Sequence, residues 1–105
     1  MTHKKTPWFV LHSPELGNAF ENFFQLSHKN GILDKKTKEL LMLALASVYH
    51  SPNLIEEHLR NALDAGATKE EITEVLLIVA AEGAWVQLAS AKQMYLKHLG
   101  MAGKQ

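Results

Sequence analysis

The chain has 105 residues, 47% of them apolar, and its 11 Lys and Arg balance 11 Asp and Glu. Cysteine is absent, which removes disulfides, thiolate nucleophiles, peroxidatic thiols and thiolate metal sites. The lysines are scattered and form no stripe, so a phosphate-tracking nucleic-acid surface is not expected.

Met1 to Pro7 is polar, and the apolar patch that follows, Trp8 to Leu11, is short. Neither a signal peptide nor a membrane-spanning run is expected, and the chain reads as a soluble, cytoplasmic single domain over residues 1–105. Residues 1–12 form an N-terminal arm and the core runs from about 20 to 99.

Glycine and proline divide the sequence into about five helices, and no stretch alternates apolar and polar residues as a half-buried strand would. The fold class is all-α. Ser13 and Pro14 open the first helix, in which Leu16, Ala19, Phe20, Phe23, Phe24 and Ser27 recur at helical spacing until Asn30 and Gly31 end it. Asp34 caps a second helix reaching about Tyr49; its Leu40 to Val48 stretch is apolar on every side, which suits a central position.

Ser51 and Pro52 begin a third helix that ends near Ala65. Gly66 can take the left-handed conformation that closes it, and Thr68 with Glu71 forms a capping box for the fourth. Gly83 is expected to mark a break, a kink or a close helix contact before a fifth helix, Ala84 to Leu99, and the tail from Gly100 to Gln105 should fray. The apolar runs Leu40 to Ala46 and Val75 to Ala81 exceed what one helical face needs, so burial between subunits of a homo-oligomer is expected.

His58 lies three residues after Ile55 and four before Ala62, within the stripe that also holds Leu59 and Leu63, so at least half of it should be buried. None of His3, His12, His28, His50, His58 and His98 has a second ligand at a familiar metal spacing, and no metal or cofactor is expected. Met42, Met94 and Trp85 sit in apolar helical patterns and read as core.

The segments Gly31-Ile32-Leu33-Asp34-Lys35-Lys36-Thr37-Lys38-Glu39-Leu40 and Ala65-Gly66-Ala67-Thr68-Lys69-Glu70-Glu71-Ile72, with His58 between them, resemble the carboxymuconolactone decarboxylase and alkylhydroperoxidase D-like superfamily. The resemblance covers roughly Phe20 to Leu99. It implies a helical bundle that assembles as a trimer or a hexamer, with pockets near subunit contacts. In the redox branch a Cys-x-x-Cys pair opens the helix that carries the histidine; here those places read Ser51 and Leu54. The resemblance assigns Glu39 and His58 to a glutamate–histidine relay, and without a thiol it points to the decarboxylase branch, a lyase.

If the second and third helices pack antiparallel, Glu39 and His58 can share one crevice as a general acid–base pair without a nucleophile. The carboxylate would fix the ring's tautomer and leave the other nitrogen free to move a proton. Ser51, Tyr49 and Leu54 are the candidate substrate-binding residues, and the ligand expected is a small carboxylate. Arg60 is two residues from His58 and so faces away, leaving Lys36, Lys38 or a neighbouring subunit to supply a cation. Each residue has a plainer reading: His58 as a hydrogen-bonded core histidine, Glu39 as a partner of Lys35 or Lys36, Ser51 as an N-cap, and Tyr49 as core. The whole chain could equally be a non-catalytic binding or assembly protein in which Leu54 dries the crevice.

Overall fold

A computed structural model describes residues 5–29 and 31–100. Asn30, His3, the start of the arm and the tail beyond Gly100 lie outside the described residues. Five helices follow in order: α1 (Trp8–His12), α2 (Pro14–His28), α3 (Lys35–Val48), α4 (Pro52–Asp64) and α5 (Lys69–Leu99).

The count of five matches the sequence reading, but two elements differ. The arm carries α1, a helix too short for hydrophobic periodicity to reveal. It packs on α2 because Gly17 is buried and lacks a side chain: a Cβ there would lie 2.7 Å from the Phe9 carbonyl oxygen and 2.8 Å from the Val10 Cα. At the other end, Gly83 neither breaks the helix nor sits at a close contact. The α5 helix runs through it for 31 residues, and nothing lies within 4 Å of where a Gly83 Cβ would be. One helix glycine costs about 1 kcal/mol relative to alanine, too little to interrupt the good helix formers on both sides.

Local capping explains the remaining boundaries. The Asp34 carboxylate accepts the Thr37 amide at 2.9 Å and starts α3. Ser51 begins α4, with Pro52 in the first helical position. Gly66 adopts φ +98°, and the Ala67 amide then reaches back to the Ala62 carbonyl. Thr68 and Glu71 close the capping box, with the Thr68 amide donating to Glu71 at 2.9 Å and the Glu71 amide to Thr68 Oγ1 at 3.0 Å.

The same glutamate accepts Lys36 Nζ at 3.0 Å, tying the start of α5 to α3. The Thr68 backbone donor, then the Lys36 ammonium, hold the Glu71 carboxyl below its ordinary value of 4.5. A lowered folded-state value means that the contribution is complete above the ordinary value and is lost as pH falls through the folded one. Glu71→Gln keeps an oxygen for the cap but takes up no proton. Urea unfolding between about pH 3 and pH 7 should therefore show a shallower acid loss in the variant. An unchanged slope would rule out this contribution.

The core lies where α3 and α4 meet and α5 begins: Leu43 and Ala62 are fully buried, with Ala67 and Ile72 beside them and Leu40, Ile55, Leu59 and Leu76 around the edge. As expected, α3 is central, touching both α4 and α5. The chain is nevertheless elongated, 65 × 38 × 27 Å, with a radius of gyration of 19.7 Å where a close-packed domain of this length has about 13 Å. The stripe on α2 is largely uncovered, and Trp85 and Met94, expected in the core, are exposed on the far half of α5. By length and composition, α5 is also long and apolar enough to cross a membrane, contrary to the expectation that no segment approaches that length. Glu82 near its middle opposes insertion, because a charge at that depth is costly.

Candidate functional site

The three residues between α3 and α4 force the two helices to run antiparallel. On α3 the buried positions are Glu39, Leu43 and Ala46; on α4 they are His58 and Ala62. Spacings of three and four put each set on one helical face, and the two faces meet. Glu39 retains only 4% of its exposure and His58 only 9%.

The two side chains are bonded. His58 Nδ1 lies 2.8 Å from Glu39 Oε1. A carboxylate only accepts, so Nδ1 carries the proton and donates it, and in the neutral ring Nε2 bears the lone pair. Among the described residues no buried side-chain nitrogen or oxygen lacks a partner, so the unbonded Nε2 is not sealed from solvent. The second Glu39 oxygen is 3.6 Å from Lys35 Nζ, whose side chain is exposed.

His58 borders a crevice of about 510 Å³ with a mostly apolar lining, walled by Met42, Leu45 and Tyr49 of the α3 end and by Leu54 and Glu57 of α4. That volume falls in the range of small-molecule sites. Two of the three expected binding residues, Tyr49 and Leu54, therefore stand beside His58. Ser51 does not line the crevice; its hydroxyl accepts the Leu54 amide at 3.4 Å as the cap of α4. Tyr49 is mostly exposed, and Met42, read as core, is half-buried in the crevice wall.

The third wall was not legible from sequence. It comes from α2, through Phe24, Gln25 and His28. In the sequence Phe24 is legible only as part of an apolar stripe, because periodicity along α2 does not say which helices it meets. The expected cations are engaged elsewhere. Lys36 pairs with Glu71, Lys38 donates to the carbonyls of Ser27 and Lys29, and Arg60 lies 3.7 Å from Glu56 on the exposed side of α4. Among the described residues, no three His, Asp or Glu side chains cluster as metal ligands would.

This arrangement of helices, with the acid on one and the imidazole on the next, falls within a single matched region. The carboxymuconolactone decarboxylase family profile matches residues 14–95. The chain belongs to that family. The matched region spans α2, α3, α4 and most of α5 and includes both Glu39 and His58. As a family member without cysteine, the chain lacks the Cys-x-x-Cys pair of the redox branch.

A curated relative from Paracoccus denitrificans, described as "Uncharacterized protein 4 in cox locus", is 35% identical over 78 residues, covering 74% of this chain and 70% of its own. No solved structure matches the chain.

Proposed function

We propose that this carboxymuconolactone decarboxylase family member is a thiol-independent lyase in which His58, held by Glu39, transfers a proton to a small unsaturated acid. The observation that carries the reading is the buried 2.8 Å contact between Glu39 and His58 Nδ1, which leaves Nε2 as the reactive nitrogen beside the crevice. In the protonated ring both nitrogens carry hydrogen, and the carboxylate balances the charge. As the substrate's C–C bond to its carboxylate breaks, carbon dioxide leaves and the bonding electrons pass into the conjugated system. His58 Nε2 then gives its proton to the carbon, and the neutral ring regains one from water.

The working form is a homo-oligomer, a trimer or a hexamer. Its support is the amount of apolar surface that one chain leaves uncovered, on the α2 stripe at Leu16, Phe20 and Phe23 and along α5 at Leu77, Trp85 and Leu88. Light scattering on the purified protein gives the assembly mass directly.

The test of the chemistry is release of carbon dioxide from a panel of mono- and dicarboxylic unsaturated lactone acids in deuterated water. The protein should release it and place deuterium on the product carbon. His58→Ala should do neither while keeping the same assembly mass. An unchanged rate in His58→Ala removes the histidine from the reaction.

A second reading has its own support. Leu54 occupies the place of the redox branch's second cysteine and lines the crevice with a bulky apolar group, which suits a binding or assembly protein without chemistry. Turnover of no member of the panel, together with thermal stabilisation by apolar ligands, would favour that reading.

A further inference from the structure

The reaction proposed for His58 needs its substrate acid to be held, and the obvious cations are occupied: Lys36 by Glu71, Lys38 by main-chain carbonyls and Arg60 by Glu56. No lysine or arginine lines the crevice. Its wall does contain a second imidazole, His28, at the last position of α2.

Three features prepare that ring. Its Nδ1 lies 2.9 Å from the Phe24 carbonyl oxygen, an acceptor only, so Nδ1 is a donor and Nε2 is the nitrogen left for a ligand. The Ser27 hydroxyl, which itself donates to the same carbonyl at 2.7 Å, lies 3.0 Å from Nδ1 and braces it. The ring also lies 4.1 Å from the Phe24 ring, centroid to centroid, and stands at the helix end whose dipole complements a positive side chain.

We propose that His28 is the carboxylate-binding residue of this crevice, and that the ligand is a monocarboxylate with an apolar, unsaturated body. The proposal rests on the His58 reaction above and specifies its substrate class. The protonated His28 ring offers Nε2–H to the carboxylate, while Phe24, Met42, Leu45 and Leu54 cover the body. Glu57 of α4 lines the same crevice and repels a second negative charge, so a dicarboxylate is disfavoured. The other ionisable groups in the wall are His58 of α4 and Tyr49 at the end of α3, with Glu39 bonded behind His58. No other described ionisable side chain lines it.

Calorimetry on the intact protein with benzoate, benzyl alcohol and phthalate tests this. Benzoate should bind more tightly than either of the others. His28→Gln, checked by circular dichroism, should weaken benzoate by about tenfold to a hundredfold, the range for losing one charge-assisted hydrogen bond, and should leave benzyl alcohol binding unchanged. Glu57→Gln should improve phthalate binding.

Absence of benzoate binding, equal binding of benzyl alcohol, or a folded His28→Gln protein with unchanged benzoate affinity overturns the proposal. So does a His28→Gln protein that loses affinity for benzyl alcohol as much as for benzoate, which would make His28 a packing residue. The reaction itself is judged separately by carbon dioxide release in His58→Ala, so His28 can fail as the anchor while the His58 chemistry stands, and the reverse.

Discussion

Glu39→Gln should slow proton transfer by about a hundredfold to ten-thousandfold, the usual span for losing an effective general acid–base group, while leaving the helices in place. Glutamine has nearly the volume of glutamate and can still bond His58 Nδ1, so the packing between α3 and α4 has little reason to change. What disappears is the negative charge 2.8 Å from His58 Nδ1, and with it the stabilisation of the imidazolium in the proposed cycle. The fixed tautomer is weakened too, because an amide can present either its oxygen or its nitrogen to Nδ1.

The measurement is the rate of carbon dioxide release from whichever acid in the panel turns over, beside an NMR assignment of the His58 tautomer. If Glu39→Gln retains the parent rate, Glu39 is a packing residue and the relay is not the source of the activity. Equal losses in Glu39→Gln, His58→Ala and the double variant would mark the two residues as one unit.

Leu43→Ala should cost about 2–5 kcal/mol of folding stability, the range for removing most of a buried leucine. Leu43 is the largest fully buried side chain among the described residues and packs in the cluster of Ala62, Ala67 and Ile72. Two of those neighbours are alanines, with little side chain to move into the vacated volume, which places the cost in the upper part of the range. Against a typical total of about 5–15 kcal/mol, this is a large fraction of what holds the fold. Urea unfolding followed by circular dichroism measures it. A loss below about 1 kcal/mol, the level of an ordinary substitution, would mean that the core lies elsewhere. Leu43 follows Glu39 by one helical turn, so the same substitution should also loosen the acid–base pair and slow turnover.

What the sequence disclosed depends on how local each determinant is. The caps at Asp34, Ser51 and Thr68 and the turn at Gly66 are decided by residues within a few positions of one another, and each lies where the pattern places it. The pairing of Glu39 with His58 needed one further step, the antiparallel meeting of consecutive helices, which the short connection enforces. Gly83 misled because a single glycine is a weak signal inside a long run of helix formers. The arm concealed α1 because its formation depends on the close approach at Gly17, a contact between elements that no period encodes.

The α2 wall of the crevice was hidden for the same reason. Phe24 and His28 are separated by one helical turn and belong to an ordinary amphipathic pattern, and only the placement of the end of α2 beside the α3 and α4 hairpin brings them to the crevice that His58 borders. Ser51 illustrates the opposite error. Its place at the motif suggested a ligand contact, whereas its hydroxyl meets the Leu54 amide of its own helix.

The brief link between α3 and α4 has a kinetic consequence. Bringing Glu39 to His58 closes a small loop, for which the chain entropy lost is modest, and contacts between sequence neighbours form early where distant pairings wait. Assembly of the Glu39–His58 pair is thus a local event within one helical hairpin, separable in time from the docking of α2 and the completion of α5. The chemistry proposed for this chain resides in the part with the shortest path from unfolded chain to working geometry, and the crevice that would select the ligand is finished around it afterwards.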